Sequence, residues 1–250
     1  MKTVATIEAR MSSTRLPGKV LMDIGGVRSL ECQVRRLQRC EQIDDIVIAT
    51  TIHDADEAIV NFAEELGVNV FCGSEHDVML RILAAAKSVN AELQVQTTGD
   101  CPIIDPCIVD EVVSVFKQAE GRYDFVSNEI ERSYPIGLDC RVFPVAVLEE
   151  AAELCQDEMH RVHGSTYIYR GAGRDRYRVK NVLAPEVLNR STLRWTLDEQ
   201  ADLDFLKKVM QHFGNRYDRF TALELMQWLD SHPELNSINA GVRQKALEDG

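Results

Sequence analysis

Four times within the first 120 residues, a short apolar or β-branched run is followed by a loop and then by an amphipathic helical pattern. Val4–Ile7, Ile46–Ala49, Val68–Phe71 and Leu93–Thr97 read as strands. The helical patterns are Ser29–Cys40, Ala55–Leu66 with Gly67 as its stop, a segment through Met79, Ile82, Leu83 and Ala86, and Pro106–Gln118. Strands that alternate with helices need long crossover connections. The pattern therefore predicts an α/β fold whose mostly parallel sheet is covered by helices on both faces. Strand order stays open at this level.

From Tyr123 the rhythm changes. Phe125–Ser127, Asp139–Phe143 and Tyr177–Val182 read as strands interrupted by Pro135, Gly137, Gly171 and Gly173, with a helix over Val145–Leu154 led by Pro144. We expect antiparallel strands here, in a substrate or dimerisation lobe at about 123–182 inserted in a single domain spanning 1–250. Helices return at Ala201–Phe213 and Ala222–Leu229.

Two loops hold the chemistry. The first strand runs into RMSSTRLPGKVL, which carries Arg10, Arg15 and Lys19 among hydroxyls, with Pro17 and Gly18 shaping the turn. Cations and hydroxyls on such a loop suit a polyphosphate clamp, although a basic surface loop has the same composition. Its place directly after a strand of an open α/β sheet favours the ligand reading. Neither the dinucleotide fingerprint nor the Walker pattern is present, which argues against the common hydride-transfer and ATPase chemistries. The second loop, TTGDCPIIDP, follows the fourth strand. There Asp100 suits a hard divalent cation held against phosphate, or a helix cap.

A formal net charge of −12 argues against general nucleic-acid or anionic-membrane binding. Seven cysteines without a CxxC spacing argue against a zinc site or disulfide framework, so a reduced cytoplasmic setting is expected.

The loop RMSSTRLPGKVL resembles the signature loop of the sugar-activating cytidylyltransferases, the family of the 3-deoxy-manno-octulosonate and acylneuraminate enzymes. TTGDCP resembles that family's Gly-Asp-x-Pro motif. VIATTIHDADEAI, NVFCGSEHDVMLR and LRWTLDEQADLDFL match further segments, and YPIGLDCRVF is more similar to the spore coat polysaccharide biosynthesis protein F branch. The resemblance implies a Rossmann-like nucleotide-diphospho-sugar transferase fold, a homodimer, and magnesium-dependent transfer of CMP from CTP to an anionic sugar-like acceptor. It implies contacts from Arg10, Ser12, Arg15 and Lys19 to CTP, and a magnesium ion held by Asp100 and Asp198. Ala49 and Thr50 would border the base, with Gly73, Asp77 and Gly99 along the nucleotide cleft. Gly137, Asp139, Arg141 and His163 would face the acceptor.

Plainer readings stand beside these. Asp77 and Arg81 have the spacing of a helical ion pair, and Asp198 could cap the helix near Ala201. His160 and His163, three apart, would point to opposite faces of a strand. Trp195 and Trp228 read as packing residues, and Cys101 as a packed neutral thiol. The competing functions are transfer from another nucleoside triphosphate, a glycosyltransferase-like use of an activated sugar, and a non-catalytic nucleotide-binding role in envelope assembly.

Overall fold

The computed structural model describes residues 1–245, and these form one seven-stranded sheet with helices on both faces. In chain order the elements are β1 (Thr3–Glu8), α1 (Ser29–Leu37), β2 (Asp45–Thr51), α2 (Glu57–Leu66), β3 (Asn69–Gly73), α3 (Val78–Ser88), β4 (Leu93–Thr98) and α4 (Pro106–Gln118). Then follow β5 (Phe125–Ser127), β6 (Arg141–Pro144), α5 (Val145–Leu154), α6 (Glu158–Val162), α7 (Thr166–Tyr169), β7 (Val179–Asn181), α8 (Gln200–Phe213) and α9 (Ala222–Ser231).

The strand order is β3-β2-β1-β4-β6-β5-β7. β1 pairs in parallel with β2 and with β4, so the winding reverses between β1 and β4. β6 alone runs antiparallel, against β4 on one side and β5 on the other. The middle of the chain thus extends the same sheet. In an open α/β sheet the crevice beyond the carboxyl ends at such a reversal is where ligands bind. The two loops rich in candidate groups, after β1 and after β4, both start there.

Side-chain alternation along the strands divides the core. Ala5, Ile7, Ile46, Ile48, Leu93 and Val95 point to the face covered by α1, α2 and α4. Val4, Val47, Ala49, Phe125 and Phe143 point to the other, beneath α3 and α5. The period-two pattern of a twice-covered sheet produces this division. A separate apolar cluster joins α8 and α9 to Leu16, Ile24 and Trp195, and so supports the β1 loop from behind. Arg36 of α1 is buried and donates to the carbonyls of Ile104, Tyr217 and Phe220, stitching the C-terminal helices to the sheet. Its planar fork suits three fixed acceptors, which limits the cost of burying the charge.

Local sequence explains the helix ends. Gly67 takes φ +70° to close α2, Asp77 accepts the Leu80 amide at the start of α3, and Asp105 accepts the Cys107 amide at the start of α4. Pro144 is the last residue of β6 and the N-cap of α5, one position before the helical turn expected for it. The region around His160 is helical, not extended: His160 lies in α6 and His163 is its C-cap. No helix among the described residues is long and apolar enough to cross a membrane.

Candidate active site

A cleft of about 720 Å³ opens beyond the carboxyl ends of β1 and β4. One end is built by three segments brought together from across the chain. The β1 loop supplies Arg10, Arg15 and Lys19, the β4 loop supplies Gly99 and Asp100, and the approach to α8 supplies Thr196 and Asp198. Gly99 is required by proximity, since its amide donates to the Glu8 carbonyl at 2.8 Å and a Cβ there would lie 2.8 Å from that oxygen. The Leu197 amide and the Thr196 hydroxyl both donate to the Asp100 carbonyl at 2.8 Å, which holds the two acidic segments side by side.

Asp100 and Asp198 converge on one cation. The Lys19 ammonium donates to Asp198 Oδ1 at 2.8 Å and to Asp100 Oδ2 at 3.1 Å. Asp198 Oδ1 also lies 3.0 Å from Arg15 Nη2, while its Oδ2 accepts Arg194 Nη2 at 3.0 Å. The Thr98 hydroxyl donates to Asp100 Oδ1 at 2.5 Å. Burial pushes the Asp100 pKa up, but Lys19 and the Thr98 hydroxyl outweigh it and hold the carboxyl below its usual range. Burial likewise works against the charge on Lys19, and the two carboxylates overcome it.

The other end of the cleft belongs to the second half of the sheet. Arg132 grips Asp139 through two bonds of 2.8 and 3.0 Å. Arg141 Nε donates to Glu129 Oε1 at 2.5 Å, and the Tyr169 hydroxyl joins the same oxygen at 2.9 Å. Gln96 donates to Glu8 while accepting the Ser165 hydroxyl. Burial raises the pKa of Asp139 against the pull of Arg132, and the neighbouring Glu129 adds to the rise. Burial also raises Glu8, despite Arg141 and Arg81. His163 and the exposed Arg170 line this end as well.

Several expected site residues lie elsewhere. Ala49 and Thr50 are buried at the end of β2 and are not among the described residues lining the cleft. Ser12 donates to Glu75 at 2.8 Å and faces a side depression with His53, Asp54 and Asp56. Gly73 packs under Arg81, where a Cβ would lie 2.9 Å from the arginine side chain. Gly137 presses on the Trp195 backbone, not on the cleft. Asp77 pairs with Arg161 at 2.7 Å, and Arg81 turns instead to the Ser74 carbonyl at 2.6 Å, so the spacing-based ion pair does not form. The cap of α8 is Glu199, reciprocated by Asp202, which leaves Asp198 to the cleft.

Trp195 is buried in the core, and Trp228 stacks on His212. Cys101 is a buried thiol whose pKa is pushed well up, first by burial and then by Asp100. Four contributors had no assigned role from sequence: Glu8, Glu129, Arg132 and Arg194. Only Arg194 carried a local signal, standing four residues before Asp198 as a cation next to a buried tryptophan.

Comparison with known proteins agrees with this geometry. Residues 4–160 match the family described as cytidylyltransferase. Spore coat polysaccharide biosynthesis protein SpsF of Bacillus subtilis is 30% identical over 233 residues, covering 91% of this chain and 94% of its own. An uncharacterized protein of Methanocaldococcus jannaschii is 33% identical over 249 residues, covering 100% of this chain and 99% of its own. The structure of a cytidylyltransferase from Leptospira borgpetersenii superposes with a TM-score of 0.88 at 30% identity, covering 98% of this chain and 100% of that one. The loop after β1, the switch point and the full-length likeness lead to one assignment: the chain belongs to the cytidylyltransferase family and is a nucleotidyltransferase.

Proposed function

We propose that this enzyme transfers CMP from CTP to a hydroxyl of an anionic sugar or related small acceptor, with magnesium and with release of pyrophosphate. The observation that carries the reading is the convergence of Asp100 and Asp198 on the Lys19 ammonium at the sheet reversal. Two carboxylates that converge on one cation form an all-oxygen donor pair, which suits magnesium. Asp100 and Asp198 would hold that ion. When bound, it supplies charge neutralisation and Lewis-acid polarisation at the reacting phosphate.

The chain's own residues do the rest. Arg10, Arg15 and Lys19 bind and orient the triphosphate, and their charge opposes the negative charge that builds on the leaving pyrophosphate. The acceptor oxygen forms a bond to the α-phosphorus as the bond from that phosphorus to the bridging oxygen breaks, and the hydroxyl proton is lost. No covalent protein intermediate is needed. At the far end Arg141, Asp139 and His163 would orient the acceptor, with Arg132 and Arg170 adding guanidinium groups suited to an anion. The SpsF name points to polysaccharide building blocks as the class to try first.

Mass spectrometry of reactions with magnesium, each ribonucleoside triphosphate and a pool of anionic sugars tests this directly. A CMP conjugate formed with pyrophosphate supports the reading. Release of a nucleoside diphosphate would indicate glycosyl transfer, and conjugates from another triphosphate would overturn the CTP preference. The homodimer rests on family likeness, and analytical ultracentrifugation showing only monomer would remove it.

A further inference from the structure

We infer that Lys19, with Arg15, is a placeholder cation that closes the metal site until a triphosphate arrives; the inference rests on the proposed magnesium site. All four carboxylate oxygens of the pair are engaged by protein groups. Asp100 Oδ1 accepts Thr98, Asp100 Oδ2 accepts Lys19, Asp198 Oδ1 accepts Lys19 and faces Arg15, and Asp198 Oδ2 accepts Arg194. Lys19 holds one oxygen of each carboxylate. Magnesium requires oxygen ligands at about 2.0–2.1 Å. The ammonium, 2.8 and 3.1 Å from the same oxygens, cannot stay where it is while an ion binds both.

The displaced side chains have somewhere to go. Lys19 and Arg15 sit on the loop proposed to clamp the phosphates, and a triphosphate offers more negative charge than the carboxylates they leave. Drawing the two cations onto the phosphates frees Asp198 Oδ1 and Asp100 Oδ2 at the moment the metal is needed. Arg194 is different. It is buried and also held by Asp202 at 3.3 Å, so it remains in place and keeps Asp198 oriented. Metal and triphosphate therefore bind with positive coupling, each raising the other's affinity by the same factor, about tenfold or more.

The test is a Mn2+ titration of nucleotide-free protein followed by electron paramagnetic resonance. Wild type is expected to bind Mn2+ weakly, Lys19→Met at least tenfold more tightly, and Lys19→Arg about as weakly as wild type. The gain is expected to vanish in Lys19→Met combined with Asp198→Asn. Equal affinity of wild type and Lys19→Met overturns the inference, as does a gain that survives loss of Asp198. If Lys19→Met does not fold, wild-type crystals soaked in Mn2+ decide the matter. An anomalous peak between Asp100 and Asp198 without nucleotide would refute the placeholder, and a peak only after soaking with a non-hydrolysable CTP analogue would support it. Because the titration contains no nucleotide and reads no turnover, its failure is distinguishable from failure of the CTP reaction in the product assay.

Discussion

Asp202 accepts the backbone amide of Asp198 at 3.0 Å, so the carboxylate that closes the first turn of α8 also fixes the one that faces the cleft. Asp202 is fully buried, takes the Glu199 amide and the Asn239 side chain, and pairs with Arg194. A structural carboxylate thereby sets the direction of the one proposed to hold the metal.

Asp202→Ala removes the reciprocal cap and leaves Arg194 buried with only Asp198 and Gln244 as side-chain partners among the described residues. We expect a loss of about 3–5 kcal/mol, the usual cost of breaking a buried ion pair. Urea denaturation measures it; a loss under about 1 kcal/mol would mean that Asp198 and Gln244 together satisfy Arg194.

Asp100→Asn and Asp198→Asn keep shape and lose charge. Each is expected to lower turnover at least about a hundredfold, the scale seen when a group stabilising the transition state is removed. Pyrophosphate release under saturating CTP reads the effect, and wild-type turnover in either variant would remove that residue from the proposed metal site.

Gly137 has φ +107°, and a Cβ there would lie 2.6 Å from the Trp195 carbonyl carbon. Its neighbour Ile136 bridges to Arg194, tying this turn to the strip that carries Asp198. Gly137→Ala should cost about 2 kcal/mol or more through backbone strain and overpacking. Thermal unfolding checks the stability, and weaker metal or substrate use would follow from the displaced strip.

Glu8 titrates above its ordinary value of 4.5 because burial outweighs Arg141 and Arg81. Its folded form holds the proton more firmly than the unfolded chain does. Its contribution to stability is therefore full below about pH 4.5 and is lost as pH rises through the folded-state pKa. Glu8→Gln cannot ionise, so its melting temperature should gain on wild type as pH climbs from 4.5 toward neutrality. A gap that stays constant with pH would show that Glu8 does not titrate in this way.

Much of the first half was legible because each strand and helix there carries its own period. Ile59, Phe62, Ala63 and Leu66 mark the buried face of α2 without outside help, and all four are buried. Asp100 was visible as the acid at the end of a strand. The α6–α7 stretch was given no helix from sequence because elements of five and four residues are too short to display a helical period. Glu129 and Arg132 gave no local sign, since their partners are set by how β5 meets β6 and by the turn between them. Family likeness placed Ala49, Thr50 and Gly73 near the nucleotide, whereas here Ala49 and Thr50 are buried in the sheet and Gly73 packs against Arg81.

The strip from Arg194 to Asp198 docks on the Asp100 carbonyl from 96 residues further along the chain, and the family match ends before it, at residue 160. Synthesis in chain order delivers the β1 loop with Arg15 and Lys19 long before it delivers Asp198. The nascent chain can therefore complete its sheet, whose strand β7 ends at Asn181, before the strip that carries Asp198 is made. On the proposed reading the metal site closes only with that strip, which also packs against α8 and α9.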